Sequence, residues 1–147
     1  MSVILAEDAV AATTEIMKRV NREIRRQLRR TCKQIIKDTP VDTGRLKNNW
    51  YASNRRVGTR TNKSTDPSGK NSLARVDKAL ARLKTGQRFH FFNNLPYARV
   101  VEFGMYPNPP KNPTGKTVNG FSKKAPSGML RINADGFVIA MNKVKIK

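Results

Sequence analysis

Apolar side chains recur at helical spacing through the first quarter of the chain. The stripe comprises Met17, Val20, Ile24, Leu28, Cys32 and Ile35. Its mean interval of 3.6 residues is the period of a straight α-helix rather than of a heptad coiled coil. No Gly or Pro interrupts the pattern before Pro40, and the residue before a proline disfavours helix. We therefore expect one long helix over about residues 6–38, about 45–50 Å in length. The N-terminal part of this helix, residues 9–14, is rich in small residues, and we expect it to project from the domain or to pack on a neighbouring molecule.

The middle of the chain predicts a strand–helix–strand core over about residues 45–104. Residues 46–53 and 88–92 are rich in aromatic side chains and are expected to form strands. Between them a helix is predicted, with Ser72 as its N-cap and Gly86 as its C-terminal stop. Its apolar face comprises Leu73, Val76, Leu80 and Leu83. Residues 97–103 are compatible with a strand or with a short helix.

Two irregular arms are expected beside this core. Residues 54–72 are polar and basic, and we expect a long loop without core residues. Residues 105–127 hold so many prolines and glycines that no regular element is expected there. The C-terminal segment, residues 128–147, is expected to be helical over about 128–142. The fold class predicted is α+β, in a single domain spanning residues 1–147. In it the long N-terminal helix packs on a small antiparallel sheet with a second helix and extended loops.

Charge changes this picture more than composition does. The 147 residues include 30 Lys and Arg against 10 Asp and Glu, a formal charge of +20. Only residues 1–14 have a negative balance, through Glu7 and Asp8. A chain with this field is attracted to polyanions or to acidic protein surfaces. No apolar run is long enough to span a membrane. The start has no basic leader, so a secretory signal is not expected.

No catalytic, cofactor-binding or metal-binding residue is predicted. Cys32 is the one cysteine and lies on the apolar stripe, where cysteine behaves as a small hydrophobic residue. His90 is the one histidine and lies inside an aromatic run, which favours a non-catalytic role. A small hydrolase using His90 is the least favoured hypothesis.

A basic face of the first helix is the predicted contact surface for a partner or for DNA. It comprises Lys18, Arg22, Arg25, Arg26, Arg29 and Lys33. At helical spacing only Glu15 and Glu23 lie near enough to compensate these charges, and uncompensated like charges are unfavourable at i, i+4. We therefore expect a counter-surface, either an acidic protein or DNA phosphate. No aromatic interleaving or known DNA-binding motif accompanies the charge, so base-specific reading is not expected.

Three sequence blocks carry a resemblance to a known family. They are Thr39-Pro40-Val41-Asp42-Thr43-Gly44-Arg45-Leu46, then Asn93-Asn94-Leu95-Pro96-Tyr97-Ala98 with Val101-Glu102-Phe103-Gly104, then Ala125-Pro126-Ser127-Gly128-Met129. In this order, over about residues 10–142, the chain resembles the neck and tail-completion proteins of long-tailed bacteriophages, the family that includes the minor tail protein Z type. The family-motif positions are Pro40, Asp42, Thr43, Gly44, Pro96, Tyr97, Glu102, Gly104, Pro126 and Gly128, which are more often fold-setting than contact-making.

The resemblance implies a non-enzymatic virion protein, assembled in the host cytoplasm, that joins the tail to the head. It would form a homo-oligomeric ring, by expectation a hexamer. Its partners would be the tail terminator or tail tube protein on one side and the head-closure or connector protein on the other. The end of packaged DNA is a further candidate. The alternative function is that of a basic protein that binds nucleic acid without regard to sequence, with strongly salt-dependent affinity.

Overall fold

A computed structural model describes the backbone of residues 2–145 and the side chains of residues 9–145. It contains four helices, one short 3₁₀ turn and two antiparallel pairs of strands within that range, consistent with the α+β class. In chain order the elements are α1 (Ser2–Asp38), the 3₁₀ turn (Lys47–Asn49), β1 (Trp50–Ser53), α2 (Lys70–Ala81), β2 (His90–Asn93), α3 (Pro96–Phe103), β3 (Thr117–Val118), β4 (Phe121–Ser122) and α4 (Arg131–Asn142).

Helix α1 ends at Asp38, as the proline at position 40 predicts, but it begins at Ser2 rather than near residue 6. Burial increases along it. Met17 is 39% exposed, whereas Cys32 and Ile35 are buried. The apolar stripe is therefore continuous in sequence, but only its C-terminal part enters the core.

Helices α2 and α4 cover the C-terminal half of α1, and both run antiparallel to it. On the α2 side, Asp77 pairs with Arg29, and the following loop reaches Asn21 through a 2.8 Å hydrogen bond to Thr85. On the α4 side, Asn133 bonds to Asp38 at 2.9 Å, and the far end of α4 reaches the level of residues 19–27. Nearer the N-terminus, every side chain described from residue 9 to residue 19 is exposed. We call residues 2–18 the N-terminal extension.

Strands β1 and β2 form the small sheet that carries the core. They pair antiparallel with Trp50 opposite Asn93 and Ser53 opposite His90. The rings of Trp50 and Phe91 stack at 4.8 Å between centroids. The first strand was expected to begin at Leu46, but it begins at Trp50. Residues 47–49 form the 3₁₀ turn instead, because Asn48 and its neighbour bury their amides against the following loop.

Helix α2 begins two residues before the expected N-cap. The capping position is Gly69, at φ +76°, whose backbone is positioned closely against Ile36. Ser72 lies inside the helix, fully buried, and donates a 2.7 Å hydrogen bond to the carbonyl of Lys47. The helix also ends at Ala81, well before Gly86. Ser72 therefore joins α2 to the 3₁₀ turn rather than capping the helix.

The later segments are more regular than expected. Residues 96–103 form helix α3, with Pro96 in its first turn. The proline-rich arm holds the β3–β4 hairpin, which corrects the expectation that no regular element forms there. The turn of this hairpin is Asn119-Gly120, both with positive φ, as a two-residue hairpin turn requires. The final helix, α4, is present but begins at Arg131 rather than at residue 128.

The loop between β1 and α2 is held by its own chain. Asn48 and Asn49 bond to the backbone of Ser64 and Asn62, at 3.1 and 3.0 Å, and Asn94 bonds to the carbonyl of Gly58 at 2.8 Å. These hydrogen bonds show that asparagine amides of the same chain order the loop. Each amide can donate and accept, so the loop backbone is satisfied without regular structure.

Candidate assembly surfaces

A tight corner after α1 places the first family motif. Buried Thr39 donates to the carbonyl of Ile35 at 2.7 Å and accepts a hydrogen bond from the indole of Trp50 at 2.9 Å. Gly44 has φ +90°, and a Cβ there would lie 2.5 Å from the backbone nitrogen of Pro67. The carbonyl of Gly44 also accepts from the amide of Asp66 at 3.2 Å. The corner therefore needs glycine both for its backbone angle and for the close approach of the loop.

The two motif residues beside this glycine point outward. The hydroxyl of Thr43 accepts a hydrogen bond from the backbone N–H of Arg45 at 3.3 Å. The carboxylate of Asp42 is 90% exposed and lies 3.8 Å from the ammonium of Lys116. Pro40, Asp42 and Thr43 instead form one wall of a groove.

The second and third motif blocks meet in one internal clasp. The buried carboxylate of Glu102 accepts the backbone N–H groups of Met129, Leu130 and Arg131 at 2.7, 2.8 and 2.9 Å. The guanidinium of Arg131 adds a 3.0 Å bond. Burial alone would raise the pKa of Glu102, but these donors together hold it below the ordinary value. The clasp therefore fixes the end of α3 to the start of α4.

Glycines and a proline make the clasp possible. A Cβ on Gly128, at φ +82°, would lie 2.6 Å from the carbonyl oxygen of Glu102. Pro126 begins the turn that the amide of Gly128 closes on Ala125 at 3.1 Å. Gly104 caps α3 at φ +63° and lies against the ring of Phe121 in β4. Gly104, Pro126 and Gly128 therefore lie in tight turns on the path from α3 to α4.

A groove of about 700 Å³ separates the corner from the proline-rich arm. Its apolar lining includes Val41, Tyr97, Val101, Tyr106 and Pro110. Burial, followed by the nearby charge of Asp42, raises the pKa of Tyr106 above its ordinary value. The charged groups around the groove are Arg45, Lys111, Lys116, Lys123, Lys124 and one acid, Asp42. The groove is therefore apolar inside and strongly basic around its edge.

The basic face of α1 is only partly available to a partner. Arg29 forms a two-bond pair with Asp77, at 2.6 and 3.1 Å, and Arg25 donates to the carbonyl of Leu83 at 2.5 Å. The two arginines therefore connect α1 to α2 and to the turn that follows α2. Arg26 is paired with Glu23 at 2.8 Å, and Arg22 lies 3.9 Å from Glu15.

The expected lack of compensating acids is thus wrong for Arg29, because Asp77 comes from α2 and not from α1. For Arg26 the compensating acid is Glu23, one of the two acids expected nearby, which accepts two hydrogen bonds from its guanidinium. Lys18 and Lys33 are exposed on the same helix. They, with the outward-facing Arg22, remain the positions most open to a partner.

The candidate catalytic groups lie in structural positions. Cys32 is buried in the core, and burial raises the pKa of its thiol to about 12. His90 is half-buried in β2, opposite Ser53. Among the described residues, no three His, Cys, Asp or Glu side chains gather as metal ligands. None of the described helices combines the length and the apolar character needed to cross a bilayer.

Sequence reasoning missed an internal arginine. The guanidinium of Arg75 donates to the carbonyls of Asn48 and Trp50, at 2.7 and 3.0 Å, and lies 4.6 Å from the ring centre of Tyr51. On a helix with lysine and arginine elsewhere on its surface, nothing distinguished this residue. Its partners are backbone carbonyls 25 and 27 residues away, which no periodic pattern reveals.

Comparison with known proteins decides the family. The sequence model described as "Bacteriophage HK97-gp10, putative tail-component" matches residues 1–104, more than two thirds of the chain. The protein belongs to this family. The HK97-gp10-like match covers α1, the corner, the sheet and α3, up to the glycine that caps α3. It identifies a phage tail-related structural component, although it does not single out the minor tail protein Z type. No curated protein and no solved structure matches the chain.

Proposed function

We propose that this HK97-gp10-like protein forms a homo-oligomeric ring, a hexamer, in the phage neck. There it completes the tail and joins it to the head. One face of the ring would meet the tail terminator or tail tube protein, and the other would meet the head-closure or connector protein. Membership of a tail-component family supports a location in the phage tail. The exposed apolar side chains of α1 and α4 support assembly with other subunits.

The observation that carries the proposal is the N-terminal extension. The exposed part of α1 includes Val10 at 67% and Ile16 at 49% exposure. An isolated amphipathic helix gains most of its stability from packing its apolar side against another element. Helix α4 adds to this, because none of its described side chains is buried and Val138 and Ile139 are more than half exposed. A subunit with two such helices has surfaces suited to neighbours.

The assembly can be tested with the purified full chain and with phage that lack the gene. Light scattering or native mass spectrometry should show a salt-sensitive oligomer, of about 100 kDa if six 16.6 kDa chains assemble. Cells infected with phage lacking the gene should accumulate heads and tails that do not join, and the wild-type gene supplied in trans should restore joined particles. Joined, infectious particles without the gene would refute the proposal.

The basic face is tested by charge reversal at the open positions. Lys18→Glu with Arg22→Glu and Lys33→Glu should leave a folded protein that fails to complete particles. Arg25 and Arg29 are left unchanged because they hold α2. A matched control reverses Lys70, Lys78 and Lys84, three exposed lysines in or just after α2. Equal particle yields from the two triple variants would remove the basic face from the proposal.

The alternative, sequence-independent binding of nucleic acid, is favoured by the net charge of +20. It predicts that the isolated chain binds duplex DNA tightly and loses that affinity between low and moderate salt. The internal pairing of Arg25, Arg26 and Arg29 reduces the number of cations that phosphates could meet on α1. A gel-shift titration beside size-exclusion chromatography separates the two functions.

A further inference from the structure

The basic groove and the N-terminal extension are complementary in both charge and apolar character. The first fourteen residues hold two acids, Glu7 and Asp8, and no basic residue, in a chain that is otherwise basic throughout. The same segment repeats apolar residues at Val3, Ala6 and Val10, and this spacing continues the apolar stripe of α1 towards its start. The groove offers an apolar interior and a surplus of four positive charges around its edge.

The extension does not reach the groove of its own chain. Helix α1 contains no Gly or Pro, where sharp kinks arise, and its rise of about 1.5 Å per residue sets Glu7 about 45 Å from Asp38. The wall of the groove begins two residues after Asp38, at Pro40. The acidic end of α1 and the basic groove are thus at opposite ends of the subunit.

We propose that the acidic N-terminal end of α1 in one copy occupies the basic groove of the next copy. The inference rests on the proposed ring and names the contact that builds it. Glu7 lies one helical turn from both Val3 and Val10, so an acid flanks the apolar stripe as lysines flank the apolar lining of the groove. The contact is head-to-tail, because it joins two different surfaces, and head-to-tail contacts generate closed rings when the rotation between copies closes.

The available cations of the groove favour this occupant. Arg45 is committed to the carbonyl of Asn62 at 3.2 Å, and Lys116 lies near Asp42. Lys111, Lys123 and Lys124 are exposed around the groove. Opposite charges at such an edge mainly steer association and select the partner, whereas the apolar contact supplies affinity. Assembly is therefore expected to weaken as salt rises.

A charge-swap experiment tests the contact on the full chain. A tip variant carries Glu7→Lys and Asp8→Lys, and a groove variant carries Lys111→Glu, Lys123→Glu and Lys124→Glu, which turns the surplus of four positive charges around the groove into a surplus of two negative charges. Each variant alone places like charges in the contact, and its self-association should weaken by about tenfold or more. In an equal mixture each tip again meets a groove of opposite charge. The mixture should therefore recover oligomers of wild-type mass in which the two variants alternate.

Matched controls separate the contact from net charge. Ala74→Lys with Ala81→Lys adds positive charge on the exposed surface of α2, and Lys70→Glu with Lys78→Glu and Lys84→Glu removes positive charge in and just after α2. Both controls should assemble as the wild type does. Circular dichroism and melting temperature check that every variant folds.

Each outcome bears on the two proposals differently. Recovery of the oligomer only in the mixture supports the tip–groove contact. A wild-type oligomer that neither the tip nor the groove variant weakens, or variants that stay apart when mixed, would overturn this contact and leave the ring intact. A wild-type chain that stays monomeric at every concentration would overturn both.

Discussion

Replacing Glu102 with glutamine removes one charge from the clasp and almost no volume. In the wild type each carboxylate oxygen accepts two hydrogen bonds. Oε2 accepts from the backbone N–H groups of Met129 and Leu130, and Oε1 accepts from the backbone N–H and the side chain of Arg131. A glutamine keeps one oxygen, so its NH₂ group must face one of the two donor pairs. Two N–H groups then lose their acceptor whichever way the amide is turned.

The cost follows from those two lost bonds. A hydrogen bond to a charged group contributes about 1.5–3 kcal/mol, so two amount to about 3–6 kcal/mol. The side chain of Arg131 is 53% exposed and can recover water, which favours the lower end, about 3 kcal/mol. For a chain of this size about 2–4 °C of melting temperature is lost per kcal/mol, so Glu102→Gln should melt about 6–12 °C lower.

Thermal unfolding followed by circular dichroism measures the difference, with Asp135→Asn as the control. Asp135 is an exposed acid on α4, and its amide should change stability by no more than about 0.5 kcal/mol. Amide hydrogen exchange should also accelerate at Met129, Leu130 and Arg131. A Glu102→Gln protein that melts within about 2 °C of the wild type would refute the assignment of the carboxylate as the acceptor that holds α4.

The pH dependence gives an independent reading of the same group. Because the folded state lowers the pKa of Glu102, its stabilising contribution is present above the unfolded value of about 4.3. That contribution is lost as pH falls through the lower folded value. The stability gap between wild type and Glu102→Gln should therefore be constant near neutrality and close as the solution is acidified below about pH 4. A gap that persists unchanged to about pH 2 would contradict the ionised clasp.

Three further predictions concern other parts of the molecule. Gly44→Ala should destabilise the folded protein by about 1–3 kcal/mol, because position 44 has a positive φ and a close backbone neighbour. Gly136→Ala, which has open space around it in α4, should stabilise the folded protein by about 0.5–1 kcal/mol. Chemical denaturation measures the free energy of unfolding of both variants. Cys32, with a thiol pKa of about 12 and a buried position, should react with thiol reagents at pH 8 only as fast as the protein unfolds, and rapid labelling of the native chain would contradict its placement. A double-mutant cycle on Arg29 and Asp77 should give a coupling of about 0.2–1 kcal/mol that shrinks in high salt, since both side chains are nearly half exposed; a salt-independent coupling would argue for a drier contact.

Sequence reasoning succeeded where structure follows from local pattern. The helical period and Pro40 gave the end of α1 at Asp38, and the aromatic runs gave the two strands of the core sheet. The hairpin in the proline-rich arm was missed although the sequence contains its signal. Asn119-Gly120 is a favoured two-residue hairpin turn even between prolines.

What sequence could not supply were contacts between distant polar groups. Asn48 and Asn49 are completely buried, although asparagine is usually exposed, because their amides bond to a loop that follows in the chain. The pairing of Arg29 with Asp77 likewise requires the packing of α2 on α1 to be known. The two later family motifs could be placed in order, but only the fold shows that Glu102 binds the backbone beside Gly128.

The length of α1 also makes it a lever. A stiff rod fixed at its C-terminal half converts rotation there into translation at its free end. The extension is about 25 Å long, so a tilt of about 10° at its base shifts its end by about 4 Å, a little less than the height of one helical turn. A small change in the packing of α2 and α4 on α1 would thus allow the same subunit to form the proposed ring with different circumferences.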